Sequence, residues 1–382
     1  MSYKKNNTYK LSALAAITML STCSVSAFEL DVADMKASIY GYAKLDMIYD
    51  VDGYIGPTVT HRLISLDSQE GAEGHANLHA FESRLGFKTS TPVAGSTLNT
   101  TIEGDFYGGG GGQFRLRHAY GEWNGVLAGQ TWTNFGGFLG FTPVVDFTAQ
   151  FGQGNITRQA QLRYTSGGLS IALEDPGNIG SNVDMTNSPS TDDELKNGYP
   201  DLTLRYEDRY GAISYGVSTV LREIAYYNSA SNSDESILGW GVNFEAASKV
   251  TDRFTLRGAF THGDGLGGYL YGSPSGAGFI DASGSVEGIK GVGGTVGMTI
   301  SVGTGNVNVA YGIATVDLDD AVGQGAMSSL ATDRAESIYL NYIWSPAKRI
   351  NYGVEAGYHS RRTQSGEEGD AVRLQGMVQY VF

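Results

Sequence analysis

The sequence feature that most constrains the fold is an alternation of apolar and polar residues that continues to the last residue, Phe382. Between Val372 and Phe382, Leu374 and Tyr380 share the parity of Phe382, whereas Gln375 has the opposite parity. An alternating strand of about ten residues is the unit of a transmembrane β-barrel, and the ends of soluble domains usually fray. The pattern therefore predicts a terminal barrel strand, although a soluble β-sandwich can also end on a strand. A terminal aromatic residue is typical of the signal read by the barrel-assembly machinery, and we predict this role for Phe382.

The other end of the chain has the layout of a secretory signal peptide. Its first ten residues carry three lysines and no acid, the next ten are mostly apolar, and Ala27 ends a small-residue cleavage site. The apolar stretch is too short to span a bilayer. We therefore predict a cleaved signal peptide at residues 1–27. The alternative is a lipoprotein attached at Cys23, which is less favoured because Thr22 fits a lipobox poorly.

The predicted mature chain has no cysteine, because Cys23 is the only one in the sequence. Disulfides, thiolate metal sites and a cysteine nucleophile are thereby excluded. Downstream of the signal, no window approaches the roughly 18 consecutive apolar residues of a helical membrane span. We predict a short N-terminal segment at residues 28–36, followed by a single barrel domain at residues 37–382.

Period-two alternation, separated by turn residues, recurs along this whole domain. The alternating segments number sixteen, and an even number is what a closed antiparallel barrel of the outer membrane needs. The predicted strands are Ala37–Val51, Leu78–Thr89, Thr97–Tyr107, Gln113–Trp123, Val126–Thr131, Arg158–Thr165, Leu169–Glu174, Asp201–Glu207, Ala212–Glu223, Ile237–Ala246, Arg253–Thr261, Val286–Ile300, Asn306–Val316, Ala335–Trp344, Asn351–Ser360 and Val372–Phe382. The predicted fold class is all-β, a transmembrane antiparallel up-and-down β-barrel of about 16 strands.

Connections between the predicted strands alternate between short turns and long polar stretches, as periplasmic turns and extracellular loops do. The long stretches are Asp52–Asn77, Asp175–Pro200, His262–Ser285 and Asp317–Asp333. Most of the acid surplus behind the formal net charge of −14 lies there, which argues against nucleic acid as a partner. Runs of acids can bind divalent cations, but a solvated loop face is the simpler interpretation.

One connection, Thr133 to Gln153, is apolar and aromatic and has no sustained alternation. An exposed apolar segment of this size normally marks a contact surface. It is the third long connection on the outer side of the barrel, and in general porins that loop folds into the lumen and narrows it. We predict a lumen-folded constriction loop; a loop that contacts a neighbouring subunit is the alternative.

If the apolar parity faces lipid, the opposite parity faces the lumen and tunes selectivity. The basic residues on that parity are Lys44, Arg84, Lys88, Arg115, Arg117, Arg163, Arg205, Arg257 and Arg373, and the acidic residues are Asp46, Glu103, Asp105, Glu207 and Glu355. The bases outnumber the acids, and a confined positive field concentrates anions. We therefore expect an anion preference. For any single arginine, pairing with Glu103 or Asp105 across a crowded wall is an equally good interpretation.

Three sequence blocks stand out together: Ser83–Lys88, Ile102–Phe106 and the run from Arg115 to Phe135. They resemble the DcaP-like family of Gram-negative outer-membrane porins, and the similarity is good over Tyr40–Phe135. The resemblance implies a sixteen-stranded homotrimeric channel for small anionic solutes such as carboxylates. It also implies that Arg84, Arg115 and Arg117 lie near the narrow zone. Some members carry a helical N-terminal extension, whereas here only Phe28–Lys36 precedes the first predicted strand, so trimer contacts would rest on the barrel walls.

Enzyme motifs are weak or missing in this sequence. The GxGxxG match at residues 263–268 lacks a strand–turn–helix context and is expected by chance among 54 glycines. We predict no enzyme activity, no cofactor and no metal. The predicted function is an outer-membrane diffusion porin, with lipid, lipopolysaccharide and the assembly machinery as partners. The alternatives are a non-conducting structural or adhesive barrel, and a soluble β-propeller, whose repeat of about 40–50 residues is not found.

Overall fold

A computed structural model of the protein describes residues 28–32, 34–177, 179 and 182–382. The predicted signal peptide at residues 1–27 lies outside the described residues. In chain order the strands are β1 Phe28–Val32, β2 Met35–Asp50, β3 His75–His79, β4 Arg84–Val93, β5 Ser96–Gly108, β6 Gln113–Trp123, β7 Val126–Trp132, β8 Arg158–Ser166, β9 Leu169–Glu174, β10 Val183–Asp184, β11 Glu194–Lys196, β12 Asp201–Tyr210, β13 Ile213–Asn228, β14 Ser233–Thr251, β15 Phe254–Asp264, β16 Gly278–Ile280, β17 Val286–Gly288, β18 Lys290–Val302, β19 Gly305–Val316, β20 Thr332–Ala347, β21 Ile350–Thr363 and β22 Glu368–Val381. A short helix, α1, spans Asp319–Gly323.

These strands form a closed antiparallel barrel. Each wall strand pairs with its neighbours in the chain, and β22 pairs with β2 to close the sheet. Within the described part of the chain the wall has sixteen strand positions, because β3 and β4 together occupy one of them. The predicted fold class is therefore confirmed. Among the described residues, no helix is long and apolar enough to cross a membrane.

The apolar parity of the wall strands faces outwards, as a lipid environment requires. On β2, for example, the side chains of Leu45 and Met47 are exposed, whereas those of Lys44 and Asp46 are buried. Exposed aromatic residues at the short-turn end of the barrel include Trp123, Tyr164, Tyr206, Tyr210 and Tyr380. Aromatic side chains at this height form the interfacial girdle typical of outer-membrane barrels.

Several predicted strands are longer in the structure, such as Ile237–Ala246 within β14, and two differ by more than their length. The predicted strand Leu78–Thr89 is interrupted at residues 80–83, where the Ser83 amide closes a turn onto Ala80, and it continues further than predicted, to Val93. The predicted strand Val286–Ile300 is wrong at its start. Residues Val286–Gly288 belong to β17, which pairs with β16 above the barrel, and the wall strand begins only at Lys290.

A β-bulge in β6 changes the side-chain directions that the sequence predicts there. Glu103 pairs with His118 and Gly104 pairs with Leu116, so Arg117 is the extra residue. Beyond the bulge Tyr120 pairs with buried Thr101, and it faces inwards instead of outwards as strict alternation predicts. A bulge inserts one residue and so reverses the parity that follows it.

The long connections pack against one another inside and above the mouth of the barrel. One apolar cluster joins Ile55 and Ile64 of the first long connection to Phe151 of the third and Leu270 of the sixth. A small sheet of β10, β16 and β17, in which β10 and β16 are parallel, packs a second apolar cluster against Ile224 and Tyr226 of β13. The apolar residues in these connections thus form a structured cap, which the alternation of the wall strands does not predict.

Candidate functional site in the barrel lumen

The connection between β7 and β8, residues 133–157, lies inside the barrel, and we call it the inner loop. Its backbone carbonyls accept hydrogen bonds from side chains of the inner wall. These bonds are Asn243 to Phe135 at 3.4 Å, Thr295 to Gly140 at 3.4 Å, Asn341 to Pro143 at 2.9 Å and Tyr339 to Thr148 at 3.0 Å. The fold therefore contains the lumen-folded loop that the sequence predicted, and the polar groups of the loop find partners there instead of water.

Glutamates of the wall bind the amide side of the same loop. Glu174 lies on β9, Glu245 on β14 and Glu355 on β21, and all are buried. The loop donors are the Thr133 hydroxyl at 2.6 Å and the Asn134 N–H at 2.5 Å for Glu174, the Leu139 and Gly140 N–H groups at 3.0 and 3.2 Å for Glu245, and the Val145 and Asp146 N–H groups at 2.8 and 2.9 Å for Glu355. These carboxylates are occupied by the loop and are not free to attract a solute.

Asp146 of the inner loop forms a buried ion pair with the wall. Arg373 donates to it at 2.8 Å and also binds Asp50 at 2.7 and 2.9 Å. Burial alone would raise the pKa of Asp146, but the Arg373 guanidinium and hydrogen bonds from Thr148 and Thr58 outweigh it and hold the pKa below the usual range. Arg373, predicted to line the pore, thus fixes the loop to β22.

The densest group of bases lies on β4, β6 and β8, and we call Arg84, Arg115, Arg117 and Arg158 the arginine cluster. Arg115 binds Asp105 through two nitrogens at 2.7 and 3.1 Å, and Arg117 binds Glu103 at 2.8 Å. Arg84 is further from its acids, at 3.9 Å from Glu103 and 3.8 Å from Glu82. The predicted pairing of Arg115 and Arg117 with acids on β5 is therefore present.

Arg158 differs from the rest of the cluster. Its guanidinium lies 4.8 Å from the centroid of the Trp132 ring, which Arg117 also approaches at 5.5 Å. Among the described residues no carboxylate lies within ion-pair distance of Arg158. The aromatic faces of Tyr107 and Phe147 lie 5.4 and 5.5 Å from Arg115. Cation–π contacts hold these guanidinium groups without neutralising their charge.

The structure distributes the other predicted lumen residues around the wall. Lys44 binds Asp46 at 3.0 Å, Glu82 and the Val145 carbonyl, and Arg205 binds Glu207 and Glu245. Arg257 binds the Thr299 hydroxyl at 2.9 Å, and Lys88 lies 4.6 Å from the centroid of the Tyr40 ring. Arg163 lies opposite Leu127 in the register of β7 and β8. They do not join the arginine cluster, which the structure gathers from β4, β6 and β8. Phe382 donates its N–H to Gly41 at 3.1 Å on the closing seam.

Several charged lumen groups lie outside the set that the sequence predicts. They are the acids Asp50, Glu82, Asp146, Glu174, Asp201 and Glu245, and the bases Arg158 and Arg222. The alternation of the predicted strands is a sufficient signal for Glu245 and Arg222, whereas Glu82 lies in the interrupted segment and Asp146 on the loop, where no parity applies. With these acids included, the predicted surplus of bases over acids is not found in the described lumen.

No group of three or more His, Cys, Asp or Glu side chains in the described part of the chain could hold a metal ion. The geometry instead defines a class. A closed barrel of sixteen strands is wide enough for an aqueous channel, and the lumen-folded loop narrows the space inside it, which is the architecture of an outer-membrane porin. The chain belongs to the DcaP outer membrane protein family, whose model matches residues 4–284.

Solved structures agree with this assignment. The chain is 26% identical to the outer membrane channel DcaP of Acinetobacter baumannii over 92% of this chain and 99% of that one, with a TM-score of 0.79. An anion-selective porin from Comamonas acidovorans has 14% identity, coverage of 91% and 100%, and a TM-score of 0.56. OmpT of Vibrio cholerae in its trimer form has 12% identity, coverage of 91% and 99%, and a TM-score of 0.52. The last two similarities show the fold alone. None of the curated proteins matches the chain.

Proposed function

We propose that this outer-membrane porin passes small hydrophilic solutes by diffusion, prefers anions such as small carboxylates, and works as a homotrimer. The observation that carries the preference is Arg158, a cation without an acidic partner among the described residues, beside Arg117 and on the same tryptophan ring. The preference then depends on a local excess of charge and not on the lumen as a whole. Low-dielectric walls around such an excess focus the field and concentrate anions.

The carboxylate class follows from guanidinium geometry. A guanidinium presents a planar pair of donors that matches a carboxylate, and Arg115 already uses this geometry with Asp105 at 2.7 and 3.1 Å. Arg158 is the guanidinium of the cluster that is free to offer the same contact to a passing solute. Conduction needs such contacts to be weak enough for release, and a single unpaired arginine beside partly neutralised neighbours meets this need.

The test is single-channel recording in planar bilayers with the reversal potential measured under a salt gradient, first in chloride and then in acetate. We expect anion preference in the wild type. In Arg158→Gln the anion-to-cation permeability ratio should fall by about twofold or more, since a unit charge is lost from a confined site. Arg253→Gln is the matched control, because Arg253 lies exposed in the turn between β14 and β15. Cation preference in the wild type would contradict the proposed selectivity.

The same recording tests the trimer and the alternative function. Closure in three equal steps is expected of a homotrimer, a state in which the similar OmpT of Vibrio cholerae was solved. Closure in independent single steps would contradict the homotrimer, whereas the pore function would still stand. An inserted, correctly folded protein without conductance would favour the structural or adhesive barrel, for which the apolar cap over the mouth offers a physical basis.

A further inference from the structure

Glu245 and Glu355 hold the inner loop in the same way from different strands. Each carboxylate accepts the N–H groups of two successive loop residues, Leu139 and Gly140 in one case and Val145 and Asp146 in the other. A carboxylate has acceptor capacity for two or more such donors, whereas amides and alcohols match this arrangement less well. The repeated arrangement indicates two attachment points on one segment of chain.

These two attachment points are separated along the wall. Glu245 lies on β14 and Glu355 on β21, and β15, β18, β19 and β20 lie between them in the sheet. The segment Leu139–Asp146 therefore lies along the inner face of these strands and is fixed at both ends. Between the ends, Asn341 donates to the Pro143 carbonyl at 2.9 Å and also to Glu355 at 2.9 Å.

The residues that flank this segment contact Arg115 of the arginine cluster and the tryptophan on which Arg117 and Arg158 pack. Phe138 lies 5.2 Å from the Trp132 ring, edge to face. Phe147 lies 4.4 Å from the Tyr107 ring and 5.5 Å from Arg115. The loop thus borders the cluster at both ends of the segment, and any movement of the segment away from its wall changes the free space beside the arginines.

We infer that Glu245 and Glu355 are positioning residues, which hold Leu139–Asp146 against the wall and so keep the passage beside the arginine cluster open. The inference rests on the proposed pore function. A loop that already lies inside the barrel and is tied to the wall moves into the passage when it is released. Loss of either carboxylate therefore closes the pore for part of the time instead of widening it.

The test compares single-channel currents of the wild type, Glu355→Gln and Glu245→Gln. A glutamine has one acceptor oxygen where the glutamate has two. In Glu355→Gln one of the two loop N–H groups, which bind different oxygens, faces a donor instead of an acceptor. In Glu245→Gln the two loop N–H groups share one oxygen and Arg205 binds the other, so either the loop or Arg205 loses its acceptor. We expect frequent brief closures and a mean conductance of about half the wild-type value, and the Glu→Asp variants, which keep both oxygens, should recover part of it. Glu122→Gln is the matched control, because Glu122 is exposed and pairs with Leu127 and Asn99 away from the loop.

A second readout separates loop release from general unfolding. Val145 is 1% exposed. We expect the thiol of Val145→Cys to react with a water-soluble reagent about tenfold faster when it is combined with Glu355→Gln than when Glu355 is kept, since local opening sets the rate. Barrel integrity is followed in parallel by the heat-dependent shift in gel mobility. The inference would be overturned if both glutamine variants carried steady currents of wild-type size and the thiol reactivity were unchanged. A non-conducting wild type would overturn the proposed function instead.

Discussion

At the scale of single residues, the lumen is lined by charges that mostly satisfy one another. Arg117 and Arg373 are nearly inaccessible and bind carboxylates on neighbouring strands or on the inner loop. Buried ion pairs contribute little net stability but are costly to break from one side, about 3–5 kcal/mol. Such pairs specify the position of the inner loop. The few basic side chains that are not in ion pairs, above all Arg158, can act on solutes.

Glycines permit the close approach of the loop to this charged wall. A Cβ added to Gly137 would overlap the carboxylate of Glu245 and the guanidinium of Arg205. We predict that Gly137→Ala pushes the loop off β14, costs about 1–3 kcal/mol through overpacking, and lowers the mean single-channel conductance. Conductance and urea midpoint measure the two effects. Gly323→Ala is the control, because a Cβ at Gly323 meets open space; equal behaviour of the two variants would refute the prediction.

At the scale of elements, the strands could be predicted and the loop contacts could not. Alternation is a local property of the chain, so each wall strand can be predicted from its own residues. The predictions are wrong where a bulge or an interruption breaks the alternation. The bulge at Arg117 reverses the direction of Tyr120, and the interruption at residues 80–83 brings Glu82 to Lys44. Two partners of Asp146, Arg373 and Thr58, are separated from it by many residues in sequence, and no local pattern encodes such pairings.

The first long connection contacts the inner loop through a histidine whose charge is suppressed. The His61 ring packs edge to face against Phe151 at 5.8 Å. Burial, and then the nearby Arg62 and Arg361, lower the pKa of His61 to about 4. Because this value lies below that of an unfolded histidine, about 6.5, the folded state binds fewer protons. The stabilising effect of neutral His61 is therefore complete above about pH 6.5 and is lost as the pH falls towards 4.

We accordingly predict that residues 51–74 loosen from the inner loop as the pH is lowered from 6.5 to 4. Hydrogen exchange of this segment, measured at several pH values and corrected for the intrinsic rate, should show falling protection in the wild type. His61→Phe keeps an aromatic ring against Phe151 and removes the titration, so its protection should stay constant across this window. The same fall in protection in both proteins would show that another group is responsible.

At the scale of the whole molecule, closure of the barrel depends on a seam between the two ends of the described chain. β22 pairs with β2 from Tyr42 to Asp50, and β1 pairs with β2 from Met35 to Ile39. The segment predicted as a short N-terminal lead-in thus contains a strand that covers part of β2. An uncovered strand edge is a template for unwanted pairing, and β1 removes part of that hazard.

Phe382 lies at this seam, where its N–H bonds to Gly41 and its ring remains 45% exposed on the outer face. An exposed side chain contributes little to the folded barrel, so we predict that Phe382→Ala changes unfolding free energy in detergent by only about 0.5 kcal/mol. If Phe382 is the signal read by the assembly machinery, the same variant should accumulate far less folded barrel in the outer membrane of cells. Gel mobility with and without heating measures both. Phe254→Ala, at the start of β15, is the control. If Phe382→Ala lowered the unfolding free energy in detergent as strongly as it lowered the amount of folded barrel in cells, the role of Phe382 would be in stability. If neither quantity fell, Phe382 would not be an assembly signal.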